Sequence, residues 1–321
     1  MRPPVILLGK SMFMVLALAG GTVGMQLFTY GTGSDDNDVL HERRFREGYN
    51  VFSLNQPTDL DFCGEPVPME LLDVRERMDR ELLVNTYWQS NSLLALKRAN
   101  RWFPVIEEIL EREGLPNDLK YIPLVESNLT NAVSPAGATG FWQFLQATAT
   151  AHGLEVNGEV DERYNVVRST EAACKYLKEA HARYGSWAMA AASFNLGHGN
   201  LDRQVERQKE KNYFAMLLPE ETSRYIFRIL AMKSILSDPE RYGFHYRNKD
   251  LYPPYRVHSL EVTPPVADLN AFAISHGTNY KILKLLNPWL RDNALKGKAG
   301  KTYTVLLPTD DFDKALPDDE Q

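Results

Sequence analysis

From about residue 69 to residue 237, apolar residues recur every three to four positions, the repeat of one helix face. Met69, Leu72, Val74, Met78 and Leu82 are spaced this way among charged residues. Helical character continues through "SLLALKRANRWF" and "PVIEEILEREG", where Ile106, Ile109 and Leu110 share a face and Gly114 and Pro116 end the run. The stretch "NDLKYIPLVESN" predicts another helix, with Asn117 or Asp118 as its N-cap and a kink at Pro123. "STEAACKYLKEAHARYG" predicts a helix capped by Ser169, striped by Ala173, Tyr176, Leu177, Ala180 and Tyr184, and stopped by Gly185. "SWAMAAASFN", capped by Ser186 and closed by Gly197-His198-Gly199, and "EETSRYIFRILAMKSIL" complete a helical unit. No alternating strand pattern precedes residue 250.

The composition changes at "LYPPYRVHSLEVTPP". Beyond it the order reads strand ("RVHSLEV"), two short helices ("VADLNAFAISHG", "NYKILKLLNP") and strand ("KTYTVLLP"). The fold class is therefore mainly α: a helical domain followed by a small βααβ module. The boundaries fall at residues 1–30, a signal peptide or membrane anchor; 31–90, an arm with a helical extension; 91–248, the main helical domain; 256–309, the module; and 310–321, an acidic tail.

The N-terminal segment is uncharged and mostly apolar over residues 11–30, with Arg2 and Lys10 before it and Asp35, Asp36 and Asp38 after it. That charge order predicts export of everything downstream. Ala17-Leu18-Ala19 offers a cleavage site, yet the apolar run continues to Phe28, so cleaved signal and retained anchor both fit. The 321 residues carry a formal charge of −6, which excludes the positive footprint that nucleic acid requires and leaves glycans open. Export permits a disulfide between the two cysteines, Cys63 and Cys174, but Cys174 lies in an amphipathic helix and reads as a small buried hydrophobe. The seven scattered histidines include no metal-ligand pair beside an acidic residue, and no cofactor motif is present.

Chemistry concentrates at "YIPLVESNLTNAVSPAGATGFWQF", residues 121–144. Leu119, Ile122 and Glu126 stand at i, i+3 and i+7, so the Glu126 carboxyl shares the buried face of its helix. Burial disfavours the ionised form and raises a carboxyl's pKa, which suits a general acid. The competing reading is an ion pair with a Lys or Arg. In the following loop Gly140 allows close backbone approach, Trp142 and Phe144 could stack on sugars, and Gln143 offers an amide. One of those two rings is expected in the core. Asp161 and Glu162 are candidates for a second carboxylate, with helix entry as the favoured role.

With these residues in view, positions from about 100 to 235 resemble the soluble-lytic-transglycosylase family, whose domain is goose-lysozyme-like. Glu126-Ser127 matches the family's Glu-Ser, Gly140-Phe141-Trp142-Gln143 its Gly-aromatic segment, Ser193-Phe194-Asn195 its Ala/Ser-Tyr-Asn, and Glu221-Thr222 with Tyr225 its Glu-Thr-x-x-Tyr. The resemblance implies cleavage of the MurNAc–GlcNAc bond of peptidoglycan with formation of 1,6-anhydroMurNAc ends. It implies Glu126 as sole acid and base, with Ser127, Gly140, Trp142, Gln143, Phe194, Asn195 and Tyr225 binding substrate and no metal or cofactor. Phe194 departs from the motif's Tyr and loses a hydroxyl; its spacing with Trp187, Ala190 and Ala191 also fits a core stripe. His198 reads as non-catalytic. "GTNYKILKLLNPWL" and "KTYTVLLP" resemble a LysM glycan-binding module, although "VADLNAFA" replaces its usual Gly-Asp-Thr opening. The expected partners are peptidoglycan strands and, through the N-terminal segment, the envelope membrane. The expected location is the periplasm or cell envelope. A hydrolysing muramidase and a non-catalytic peptidoglycan binder are the competing functions.

Overall fold

The computed structural model describes residues 39–40, 48, 51–298 and 300–312. The apolar run 11–30 and the end of the acidic tail lie outside the described residues. No described helix is long and apolar enough to cross a membrane.

A hairpin pairs two two-residue strands, β1 (Asp61–Phe62) against β2 (Glu65–Pro66). Helix α1 (Leu72–Tyr87) then runs into α2 (Gln89–Arg112). The helical character expected across residues 92–114 forms one 24-residue helix that passes through Pro104. Pro104 is exposed, so its missing N–H faces outward. Leu96, Ala99, Phe103, Ile106, Ile109 and Leu110 bury one stripe on both sides of it. After a 3₁₀ turn at Asn117–Lys120 comes the short α3 (Tyr121–Ser127). Pro123 does not kink α3, because it occupies the first turn, where an N–H has no intrahelical partner to lose. Asp118 is not a cap: its carboxylate accepts from the Cys63 amide and from Lys233.

The helical unit continues with α4 (Gln146–Ala151), α5 (Val166–Tyr184), α6 (Trp187–Leu196), α7 (His198–Gln208) and α8 (Glu220–Ser237). Helix α5 starts four residues earlier than the sequence suggests. Asn165 is its N-cap, accepting from the Arg168 amide at 3.1 Å, while Ser169 is buried within the helix and donates to the Asn165 carbonyl. Ser186 and Gly185 perform the capping and stopping roles expected of them. The N-terminus of α6 also receives the Glu65 carboxylate from the hairpin, which accepts from Trp187, Ala188 and the Ser186 hydroxyl. A negative side chain there satisfies orphan amides and complements the helix dipole.

Buried residues of α1 (Val74, Met78, Leu82), α2, α5, α6 and α8 form one continuous core. Helix α1 lies along α8, where buried Glu81 takes Arg224 of α8 at 2.7 Å and Arg77 covers the Phe227 ring. Both cysteines are free, Cys174 inside the core.

The module has the expected βααβ order: β3 (Val257–Val262), α9 (Leu269–Ser275), α10 (Tyr280–Leu286) and β4 (Tyr303–Pro308). Strands β3 and β4 pair antiparallel, Val257 opposite Pro308 and Val262 opposite Tyr303. Its core joins Leu269, Leu283, Trp289, Leu295, Tyr303 and Val305 to Val160, a residue of the helical unit.

Candidate active site

Glu126 is the sixth residue of α3. The helix ends at once because Asn128 adopts a left-handed conformation (φ 52°), a state Asn tolerates better than most residues. Tyr121, Ile122, Pro123 and Leu124 are buried, which fixes α3 in the core and leaves Glu126 only partly covered.

Helix α8 supplies the partners. Glu221, Tyr225 and Arg228 stand at i, i+4 and i+7 and share a face. The buried Tyr225 hydroxyl donates to Glu126 Oε1 at 2.6 Å. Arg228 donates to the Val125 carbonyl at 2.9 Å, so its charge lies near the carboxyl without forming an ion pair with it. Burial pushes the Glu126 carboxyl up to about 7; the Tyr225 hydrogen bond and the Arg228 charge oppose that rise, and Glu221 adds to it. The same burial, with the Glu126 charge beside it, raises Tyr225 far above the ordinary phenol range, so Tyr225 remains a donor. Glu126 is thus not held in a salt bridge to Lys or Arg, the alternative that its spacing left open.

Asn195, at the end of α6, joins this face. Its Oδ1 accepts from Thr222 at 2.7 Å, and its amide reaches Glu221 at 3.5 Å. Tyr213 buttresses the first turn of α8, its hydroxyl donating to the carbonyls of Thr222 and Ser223 at 2.8 and 2.7 Å.

The loop after Glu126 serves mainly as scaffold. Ser127 is buried, and its hydroxyl bonds to the carbonyls of Pro123 and Phe141, tying α3 to the loop. Trp142 has no accessible surface and donates to Thr170 at 2.9 Å; it belongs to the core and does not offer a face to a sugar. Phe144 is buried too, so both rings that could have stacked on sugars are internal. Gln143 turns its amide inward, to the carbonyls of Ala132 and Gly140. Gly140 (φ +81°) makes its close approach to protein: a Cβ there would lie 2.0 Å from the Arg163 carbonyl oxygen. Phe194 is half-buried, with Trp142, Phe144 and Tyr176 edge-on around it at 5.2–5.9 Å. Asp161 has the helix-entry role, accepting from the Arg163 amide, and Glu162 accepts from the Glu155 amide. His198 stacks on Tyr176 at 4.4 Å.

Sequence reasoning did not single out Arg228 or the pairing of Thr222 with Asn195. The i, i+4, i+7 spacing from Glu221 could have flagged Arg228; the Thr222 pairing had no local signal. Among the described residues no group of three His, Cys, Asp or Glu side chains is arranged to hold a metal.

The described residues form a mainly α, lysozyme-like unit followed by a small LysM-like module. Residues 103–217 match the family model of the transglycosylase SLT domain, and residues 258–311 match that of the soluble lytic transglycosylase C-terminal LysM-like domain. The chain is similar to membrane-bound lytic murein transglycosylase D of Escherichia coli (strain K12), 28% identical over 259 residues, which cover 77% of this chain and 55% of that protein. The protein of the same name from Escherichia coli O6:H1 gives the same figures. A putative tributyltin chloride resistance protein of Alteromonas sp. (strain M-1) is 34% identical over 116 residues, 36% of this chain and 56% of that one. The chain spans about half the length of the curated relatives it matches.

Proposed function

We propose that the chain is a peptidoglycan lytic transglycosylase of the cell envelope in which Glu126 is acid and then base. One observation carries this reading: the buried Tyr225 hydroxyl donates at 2.6 Å to a carboxyl that burial pushes up to about 7. Protonated Glu126 donates its proton to the glycosidic oxygen as the bond to C1 of MurNAc breaks. The neighbouring N-acetyl carbonyl oxygen supports the cationic carbon. The Glu126 carboxylate, stabilised by the Tyr225 hydroxyl, then removes the proton from the C6 hydroxyl, and O6 bonds to C1. No water is consumed, and the attack within one sugar has a high effective molarity. The two-carboxylate arrangement of ordinary glycosidases is unnecessary. The exported location and membrane association expected from residues 1–30 belong to the same proposal.

Digestion of purified sacculi followed by muropeptide analysis tests it. Anhydro ends are the expected product. Reducing ends would make the protein a muramidase, and binding without release would make it a non-catalytic binder.

Because the first step needs protonated Glu126, activity should fall as pH rises through about 7. Tyr225→Phe removes a bond to the ionised carboxyl, so this limb should move to higher pH while turnover falls roughly tenfold or more. A pH–rate profile of both proteins measures it; a limb at the same pH in the two would separate Tyr225 from the reacting proton. Phe194→Tyr restores the hydroxyl of the family's motif on a half-buried ring. Turnover is expected to rise roughly tenfold, the size of one charge-assisted hydrogen bond, at an unchanged melting temperature. A lower melting temperature with unchanged turnover would assign Phe194 to the core alone.

A further inference from the structure

The module is joined to the helical unit by more than its linker. Val160 is fully buried in the module's own core and forms a β-bridge with Leu290. On either side, the Asp161 amide donates to the Trp289 carbonyl (2.9 Å) and the Arg291 amide to the Glu159 carbonyl (2.7 Å). Next to this staple are two buried carboxylates of the helical unit, Glu155 and Glu162, adjoining each other through the Glu155 amide. Buried carboxylates side by side require a cation. Lys301 of the module provides it, 2.8 Å from Glu155 and 2.9 Å from Glu162. Arg168 stands further off, at 3.6 Å from Glu162, and the Tyr303 hydroxyl adds a donor to Glu155.

Glu162 is followed by Arg163, which holds the loop beside Glu126. The Arg163 guanidinium donates to the carbonyls of Gly137 and Phe144 at 3.1 and 3.2 Å, and its own carbonyl presses on Gly140. From that loop the Phe141 carbonyl accepts the Ser127 hydroxyl, one residue from Glu126. Protein contacts are therefore continuous from Lys301 to the α3 helix.

We propose that the LysM-like module is a positioning element of the active site and that Lys301 is the positioning residue through which it fixes the 137–144 loop. This rests on the proposed transglycosylase function. A module that served only to gather substrate would need no such staple and would act on substrate affinity alone. A brace acts on turnover, because misplacement of the acid by about 1 Å is costly in rate.

The test uses the full chain and three variants: Lys301→Met, Lys301→Arg and Val160→Ala. Steady-state digestion of sacculi gives kcat and KM, and amide hydrogen exchange reports on residues 137–144. Lys301→Met is expected to lower kcat about tenfold with KM nearly unchanged, and to speed exchange in the loop but not in α8. Lys301→Arg should restore most of both. Val160→Ala, which attacks the same joint without touching the charges, should reproduce the pattern more weakly, and it decides the matter if Lys301→Met does not fold. A raised KM with unchanged kcat and unchanged loop exchange would overturn the proposal and leave the module a glycan binder only. If the unmodified chain releases no muropeptides, the function reading fails by itself, and exchange alone then decides the coupling: faster exchange supports it, unchanged exchange overturns it.

Discussion

Glu126→Gln is expected to reduce turnover on sacculi by roughly a thousandfold, the scale of a lost general acid–base group, while glycan binding and fold survive. The amide keeps an oxygen to accept from Tyr225 but has no proton to give. The same variant should be more stable than the parent at alkaline pH. Folding raises the Glu126 pKa from 4.5 to about 7, so the native state binds that proton more tightly than the unfolded chain. This contribution is fully present below pH 4.5 and is lost as pH climbs through 7. Gln carries no charge at any pH and loses nothing. The stability difference in favour of Gln should therefore grow by on the order of 3 kcal/mol between pH 4.5 and pH 8. Denaturant midpoints at the two values measure it. A difference independent of pH would mean that the carboxyl is not desolvated, and near-normal muropeptide release by the variant would end the single-carboxyl mechanism.

Gly140→Ala should be among the most destabilising single substitutions in the helical unit. A left-handed φ costs an L-residue about 1–2 kcal/mol. The new methyl would also lie 2.0 Å from the Arg163 carbonyl oxygen, a backbone atom that cannot turn away. Relief requires the loop to separate from Arg163, weakening the guanidinium's bonds to Gly137 and Phe144, each worth about 1 kcal/mol. The sum is about 3 kcal/mol, a fall in melting temperature of roughly 6–12 °C for a unit of this size. Calorimetry checks it. A variant that melts with the parent would show that the loop and Arg163 are not packed as described, which would also remove the middle of the route from Lys301 to Glu126.

Much of this molecule was legible in its residues. The 3.6-residue period gave the helices, and the switch near residue 251 to strand, helix, helix, strand gave the module. Both are local properties: a repeat is written in consecutive side chains, and burial of the apolar stripe follows whatever partner is found. That Glu126 shares a face with buried Ile122 was likewise readable from spacing, although Leu119, the third member of that pattern, lies in the 3₁₀ turn before the helix. Cap residues were less secure, because Asn165 and Ser169 both carry cap-competent side chains within one turn and the choice depends on where the preceding chain can enter.

Tertiary structure alone decided what surrounds the carboxyl. Tyr225 is 99 residues from Glu126, and only the packing of α8 beside α3 brings the phenol to 2.6 Å. Trp142 and Phe144 looked like sugar platforms because exposure is not encoded in residue type; the core behind the loop claims both rings, and Thr170 satisfies the Trp142 indole. Val160 gives no sign in sequence that it completes the core of a module beginning almost 100 residues later. Hydrophobic spacing tells which face of an element is covered, but the identity of what covers it is set by long-range packing, and the site's chemistry is built from those long-range partners.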